Sequence, residues 1–112
     1  LYAGSTVIGY VAWYSSISGS TTHRLATKAS KACGLYDMSG NVWEWTQDWY
    51  SSSDYSSSPV TDPVGATSGG SRVGRGGSWS RDPTIARVAS RSRLNPAGRY
   101  SSYGLRLLRT SP

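Results

Sequence analysis

Residues 42–49 constrain the fold of this chain more than any other stretch. They spell VWEWTQDW, in which Trp43, Trp45 and Trp49 occupy alternate positions among polar and acidic residues. Because successive side chains of a strand point to opposite faces, this alternation predicts a strand with one aromatic face. A tight turn at residues 39–41 (Ser-Gly-Asn) precedes it.

The remaining segments predict short elements joined by loops. The chain has 13 glycines and abundant serine, a composition that disfavours long helices. Residues 7–14 (VIGYVAWY) are apolar and predict a strand or a buried segment, and residues 50–70 form a long polar loop. A short strand or a turn is expected at residues 72–79, short strands at 85–89 and 104–109, and a turn at 95–98. The pattern favours a single irregular α+β or mostly β domain over residues 1–112.

The positive charge is placed unevenly along the chain. The net charge is +6, and nine of the ten arginines lie in residues 72–109, where Asp82 is the only acid. Such asymmetry is typical of nucleic-acid binders, but lysine, which a generic phosphate surface shares, is absent after Lys31. The alternative is that the arginines brace loops by hydrogen bonds to carbonyls and carboxylates. A nucleic-acid partner is therefore the less favoured interpretation.

Several enzyme classes and membrane-spanning folds find little support in the sequence. No apolar run is long enough for a transmembrane segment, and Cys33, the single cysteine, cannot form an internal disulfide. His23 and Cys33 could form a nucleophilic dyad, but no motif holds them together, and a loop histidine with a buried small thiol is the simpler interpretation. Residues 74–77 lack the lysine of a phosphate-binding loop.

Three motifs resemble one known family in their order and spacing. They are GLYDMSGNVWEW at residues 34–45, RVGRGGSW at residues 72–79 and GLRL at residues 104–107. Together they are similar to the later part of the formylglycine-generating-enzyme (sulfatase-modifying-factor) domain. The resemblance implies an α+β fold of the C-type lectin-like kind, with short irregular strands, long loops and little helix. Leu105 stands where the family usually has phenylalanine, and the earlier part of the family domain has no counterpart here.

The resemblance also indicates what the glycine-pair turn at residues 76–79 leads into. Catalytic members of the family oxidise a substrate cysteine and carry two copper-binding cysteines soon after this turn. Here residues 80–86 are SRDPTIA, with no cysteine. We therefore expect neither the oxidase activity nor a copper ion.

A structural calcium ion is a further expectation from the family. By position its ligands are the carboxylates of Asp37 and Glu44 and the backbone carbonyls of Gly40 and Val42. An all-oxygen set around a tight turn suits Ca²⁺. The alternative is that Asp37 caps the turn while Glu44 pairs with an arginine.

Some members of the family are variable proteins of diversity-generating retroelements, in which adenines of codons such as AAC are replaced at random. Residues 80–103 resemble such a region, because apparently fixed residues separate dissimilar ones. The candidate ligand-binding residues are Ser80, Arg81, Asp82, Thr84, Ile85, Ser90, Ser92, Arg93, Leu94, Asn95, Ala97, Gly98, Tyr100, Ser101, Ser102 and Tyr103. Tyrosine, serine and arginine are also the residues that dominate antibody paratopes.

The residue types after Trp79 are consistent with that origin. Randomised AAC codons cannot encode Lys, Glu, Gln, Met or Trp, and none of these follows Trp79, although ten occur in residues 1–79. The first hypothesis is therefore a non-catalytic protein that binds a protein or glycan ligand through a diversified surface. The resemblance implies display at a cell surface, outside the cell or on a virion. The alternative is a catalytically degenerate or fragmentary family domain with a regulatory or accessory role.

Overall fold

A curled mixed sheet forms the centre of the chain in the computed structural model, which describes residues 1–53, 61 and 64–109. Its strands within that part of the chain are β1 (Trp43–Trp49), β2 (Arg72–Arg75), β3 (Ser92–Leu94) and β4 (Tyr103–Gly104). Their order is β3-β2-β1-β4. β2 is antiparallel to both neighbours, whereas β4 runs parallel to β1.

The alternation in residues 42–49 does form a strand, as predicted. Trp43 is buried against the core, and Trp45 and Trp49 are half-buried. The pairing with β2 slips between Trp45, which faces Gly74, and Trp49, which faces Arg72. In that irregular stretch the Thr46 hydroxyl donates to the carbonyl of Val73 at 3.0 Å. A bulge of this kind bends the strand and increases its twist.

The strand alternative for residues 7–14 is wrong, whereas the buried-segment alternative is confirmed in part. The chain makes one helical turn, α1 (Ile8–Val11), and Ala12 N donates to the carbonyl of Ile8 at 3.0 Å. Val11 and Ala12 are 2% and 0% exposed, while Tyr10 is 67% exposed. Apolar composition marked the burial, but in so short a run it does not distinguish a strand from a helical turn.

The two short strands expected in the C-terminal third are also wrong in part. Of residues 85–89, the first two lie instead on a 3-10 helix, Pro83–Ala86, because proline at its start has the required φ and Asp82 caps it, and the other three form a bend and a turn. Of residues 104–109, only Gly104 pairs with β1. Leu105, Leu107 and Leu108 then run irregularly with at least 69% of their surface exposed, because no described apolar surface covers them.

Both predicted turns are confirmed. Gly40 has φ 78°, and a side chain there would come within 2.4 Å of the Trp13 carbonyl, so only glycine fits. At residues 95–98, Gly98 N donates to the Asn95 carbonyl at 2.8 Å. Of the expected 50–70 loop, residues 54–60 and 62–63 lie outside the described part of the chain.

The core is small and contains several satisfied polar groups. Its apolar members are Val11, Ala12, Trp43, Val73, Ala86 and Leu94. Asn41 lies among them: its side chain accepts from His23 N at 2.9 Å and donates to the His23 carbonyl at 3.1 Å. No described helix is long and apolar enough to cross a membrane.

Candidate functional site

The glycine-pair turn joins the two longest sequence motifs. Gly76 and Gly77 have φ of 92° and 72°, where residues other than glycine are strained. Gly40 N donates to the Gly76 carbonyl at 2.6 Å, and Trp79 N donates to the Asn41 carbonyl at 2.7 Å. The motifs at residues 34–45 and 72–79 are therefore hydrogen-bonded directly to each other. These bonds fix the position at which residues 80–103 begin.

The segment after this turn lies on the surface. Asp82 caps the 3-10 helix by accepting from Thr84 N at 2.9 Å and from the Thr84 hydroxyl at 2.8 Å. These hydrogen bonds, the backbone one first, lower the pKa of Asp82 below its ordinary value of 3.8, with a smaller contribution from the charge of Arg87. The helix is thus held by an ionised carboxylate.

Most of the candidate ligand-binding residues are accessible. Ser80, Arg81, Asp82, Thr84, Ile85, Arg93, Asn95, Ala97, Tyr100 and Ser101 are exposed. Ser90, Ser92, Gly98, Ser102 and Tyr103 are partly buried. The accessible residues come from the segment that enters the 3-10 helix, from the helix itself, from β3 and the turn after it, and from the loop before β4.

Leu94 is a correction to the candidate set. It is 1% exposed and lies on β3 opposite Arg72. A side-chain carbon added to the neighbouring Gly74 would come within 2.5 Å of Leu94 Cδ1, so the leucine occupies the space that this glycine leaves free. Its side chain therefore belongs to the core and cannot contact a ligand in this structure.

An aromatic cluster lies at the β4 edge of the sheet. The Tyr103 ring meets Trp45 edge-on at a centroid distance of 5.6 Å, and Tyr100 lies 4.8 Å from Tyr103. Tyr100 is 62% exposed. Trp79 Nε1 lies 3.4 Å from the Ser101 carbonyl, which ties this loop to the glycine-pair turn. Trp45 and Trp79 therefore each contact a residue of the candidate set, Tyr103 and Ser101 respectively.

A second, basic group of residues lies at the opposite, β3 edge. The Cζ atoms of Arg91 and Arg93 lie over the ring of Tyr50, at 5.0 and 5.6 Å from its centroid. Beside them is a cavity of 580 Å³ lined by Tyr50, Ser51, Ser52, Gly70, Ser71 and Arg93. Guanidinium groups over an aromatic face are stabilised by the negative potential of the ring.

Other arginines stabilise loops through hydrogen bonds to carbonyls. This is the alternative interpretation of the uneven positive charge. Arg75 Nη1 donates to the carbonyls of Val88, Ala89 and Ser90 at 3.0–3.3 Å, which fixes the loop before β3. Sequence inspection did not assign Arg75 this role. Its place beside the glycine pair is the only signal, and it does not identify the acceptors.

The expected calcium turn contains an ion pair. The Arg106 guanidinium donates to both oxygens of Glu44, at 2.9 Å from Nε and 2.7 Å from Nη2, and to the Tyr36 carbonyl at 2.8 Å. The hydrogen bonds to Glu44 raise the pKa of Arg106 above its ordinary value. The alternative in which Glu44 pairs with an arginine is therefore confirmed. Asp37 Oδ2 accepts from Ala26 N at 2.9 Å, whereas its buried Oδ1 has no hydrogen-bond partner.

His23 and Cys33, the residues of the nucleophilic-dyad hypothesis, have surroundings that do not suggest a dyad. His23 stacks on Trp13 at a centroid distance of 3.6 Å, and its Nε2 lies 2.6 Å from the Ser18 carbonyl. Cys33 is exposed. The described residues contain no group of three or more His, Cys, Asp or Glu side chains that could hold a metal ion.

Comparison with known proteins now identifies the architecture. The family model described as the sulfatase-modifying factor enzyme 1-like domain matches residues 5–111. The chain belongs to this family. A solved structure of Treponema denticola variable protein 1 superposes with a TM-score of 0.83 and 37% identity over 91% of this chain. The expected C-type lectin-like fold is thereby confirmed.

Two curated proteins are similar to this chain in sequence. The formylglycine-generating enzyme of Streptomyces coelicolor is 42% identical over 65% of this chain, and the serine/threonine-protein kinase Pkn1 of Chlamydia trachomatis is 45% identical over 78%. The chain spans 38% of the variable protein, 24% of the Streptomyces enzyme and 14% of the kinase. The chain is thus similar to parts of proteins with different names.

Proposed function

We propose that this chain is a non-catalytic ligand-binding protein that displays residues 80–103 as a diversified surface. The observation that carries the proposal is its likeness to a variable protein, at a TM-score of 0.83 over 91% of the chain. Exposure of most candidate residues supports it, and so does the braced scaffold beneath them. A protein or glycan ligand fits a surface of tyrosine, serine and arginine.

The composition of the same segment argues against oxidase chemistry. The only cysteine, Cys33, precedes the GLYDMSGN motif, whereas the catalytic pair expected from the family resemblance follows the glycine-pair turn. In this chain that position holds the Asp82-capped helix. Neither a hydroxyl nor a guanidinium group replaces a copper-binding thiolate.

The DNA around the gene tests the proposal. We expect a nearby reverse transcriptase gene and an adenine-rich near-copy of the DNA that encodes residues 80–103. Among sequences of the locus from many isolates, substitutions should concentrate at the exposed candidate positions. A locus with neither element, and with substitutions spread evenly over the chain, contradicts the proposal.

A degenerate family domain with an accessory role is the second candidate, favoured by the 42% identity to a formylglycine-generating enzyme. On this alternative, residues 80–103 should vary no more between isolates than residues 34–45. The same sequence survey therefore separates the two candidates.

We further propose that Ca²⁺ binds at the 37–44 turn as a structural ion. The buried, unpartnered Oδ1 of Asp37 supports this, because a buried carboxylate oxygen without a partner is costly. The residues that would hold the ion are Asp37 and Glu44, through their carboxylates, and Gly40 and Val42, through their carbonyls. Since Arg106 already bonds Glu44, the ion would have to share that carboxylate.

Thermal unfolding with Ca²⁺ and with a chelator tests the ion. Ca²⁺ should raise the melting temperature of the wild type, and Asp37→Asn should remove this rise. Asp48→Asn, which changes the same charge at an exposed position on β1, is the matched control and should retain it. An unchanged melting temperature across saturating Ca²⁺ rules the site out.

A further inference from the structure

The cavity beside Tyr50 has a polar lining, in which the Ser51 hydroxyl also accepts a hydrogen bond from Ser53 N at 3.2 Å. Its volume, 580 Å³, lies within the range of small-ligand pockets. Its walls come from the end of β1, from the chain that enters β2 and from β3. Tyr50 N donates to the Ser71 carbonyl at 2.8 Å, so two of these walls are joined by a backbone hydrogen bond.

The charge of the lining is positive. Arg93 is the one charged residue among the described residues that line the cavity, and none of these carries a carboxylate. Its guanidinium lies over the Tyr50 ring, which holds the group beside the cavity without neutralising its charge. A guanidinium presents a fork of donors that matches carboxylate and sulfate oxygens.

Hydroxyl groups make up most of the remaining polar lining. Ser51, Ser52 and Ser71 each carry a hydroxyl that can both donate and accept, and Gly70 adds no side chain. Such a lining suits a ligand rich in hydroxyls rather than an apolar peptide side chain. We propose that this cavity binds an acidic sugar unit, a saccharide ring that carries a carboxylate or a sulfate, as one part of the displayed surface's ligand.

The proposal rests on the proposed ligand-binding function and assigns different roles to the constant and the variable residues of the cavity. Tyr50, Ser51, Ser52, Gly70 and Ser71 lie outside residues 80–103, whereas Arg93 is a candidate variable position. The cavity would therefore be common to all variants of the scaffold, and residue 93 would set the charge of the ligand group that it accepts. Variants with a neutral residue at position 93 should prefer neutral saccharides.

Isothermal titration calorimetry with defined saccharides tests the site. The probes are a chondroitin sulfate tetrasaccharide, a hyaluronan tetrasaccharide with carboxylates alone, and a neutral chitin tetrasaccharide. In about 0.15 M salt, where diffuse attraction between exposed charges is screened, the acidic probes should bind and the neutral probe should not. The two acidic probes together distinguish sulfate from carboxylate recognition.

Matched arginine variants show whether binding depends on the cavity. Arg93→Gln should weaken binding of the acidic probe at least about tenfold, because it removes charge-assisted hydrogen bonds. Arg93→Lys should restore only part of the loss, since it keeps the charge but not the fork. Arg99→Gln changes the same charge at an exposed position away from the lining and should alter the affinity less than about twofold.

Three results would overturn the proposal. One is an equal loss with Arg93→Gln and Arg99→Gln, which indicates diffuse charge. Another is Arg93-dependent binding of a glutamate-rich peptide with no binding of any saccharide. The third is a folded wild type that binds no acidic probe. If the third result came with a reverse transcriptase and an adenine-rich repeat beside the gene, the acidic-sugar site alone would fail and the proposed function would stand.

Discussion

Gly74 and Leu94 occupy complementary space across the β2–β3 pair. Because a β-carbon at position 74 would lie 2.5 Å from Leu94 Cδ1, we expect Gly74→Ala to destabilise the fold by about 1–3 kcal/mol through overpacking. Leu94→Ala alone should cost about 2–5 kcal/mol through the cavity it leaves. The double variant should be more stable than the sum of the two losses predicts, because the new methyl group enters that cavity.

Urea denaturation of the three variants measures these free energies. Gly70→Ala is the control, since a β-carbon there meets no atom within 4 Å, and its unfolding free energy should change by less than about 0.5 kcal/mol. Strictly additive losses in the double variant would show that Leu94 does not pack over Gly74.

Asn41 combines a left-handed backbone with a buried side chain that bonds both peptide groups of His23. Its φ is 66°, and it is 3% exposed. Asn41→Gly removes the side-chain hydrogen bonds but keeps the conformation accessible, so it should cost about 1–3 kcal/mol. Asn41→Ala adds strain of about 1–2 kcal/mol and should be the less stable of the two. Thermal unfolding ranks them, and equal melting temperatures would refute the strain contribution.

Among the elements, the 3-10 helix Pro83–Ala86 depends on a carboxylate that is hydrogen-bonded in the folded state. Since the pKa of Asp82 is lowered, its contribution to stability is present above the unfolded-state value of 3.8 and is lost as the pH falls through the folded-state value. An NMR titration of the Asp82 carboxyl should therefore give a midpoint below 3.8. Thr84→Val should raise this midpoint only in part, because the stronger backbone hydrogen bond remains. A midpoint at the ordinary value in the wild type would contradict the cap.

The elements also show which parts of the fold can be predicted from sequence. Residues 42–49 could be predicted because alternation along a strand is a local property. The helical turn at Ile8–Val11 could not, because burial of Val11 and Ala12 is compatible with either backbone. The candidate region is chosen from composition and resemblance, and its ligand-binding role stays a prediction. Burial of Leu94 depends on Gly74, twenty residues earlier in the chain, and no local pattern predicts it.

At the scale of the whole molecule, the scaffold and the candidate surface are held by different interactions. Hydrogen bonds between the motifs at residues 34–45 and 72–79 fix the start of the surface, and Arg75 fixes the loop within it. Apart from Asp82, which caps the 3-10 helix, the exposed candidate side chains should add little to this framework. Stability and ligand specificity should therefore be separable, as a protein with a diversified surface requires.

Simultaneous substitution of the exposed residues tests that separation. The first variant leaves Asp82 unchanged because it caps the 3-10 helix, and Arg93 because it lines the cavity. It changes seven other exposed residues to alanine: Ser80, Arg81, Thr84, Ile85, Asn95, Tyr100 and Ser101. Its unfolding free energy should fall by less than about 2 kcal/mol, since surface changes are small and nearly additive.

A second variant carries the same changes together with Leu94→Ser. It should lose a further amount on the order of 3 kcal/mol or more, because a core leucine is replaced by a buried hydroxyl. Urea denaturation of both variants measures the two unfolding free energies. If the first variant already unfolds, the exposed residues are part of the core stability and cannot be diversified freely. If the second is as stable as the first, Leu94 is available to vary with them.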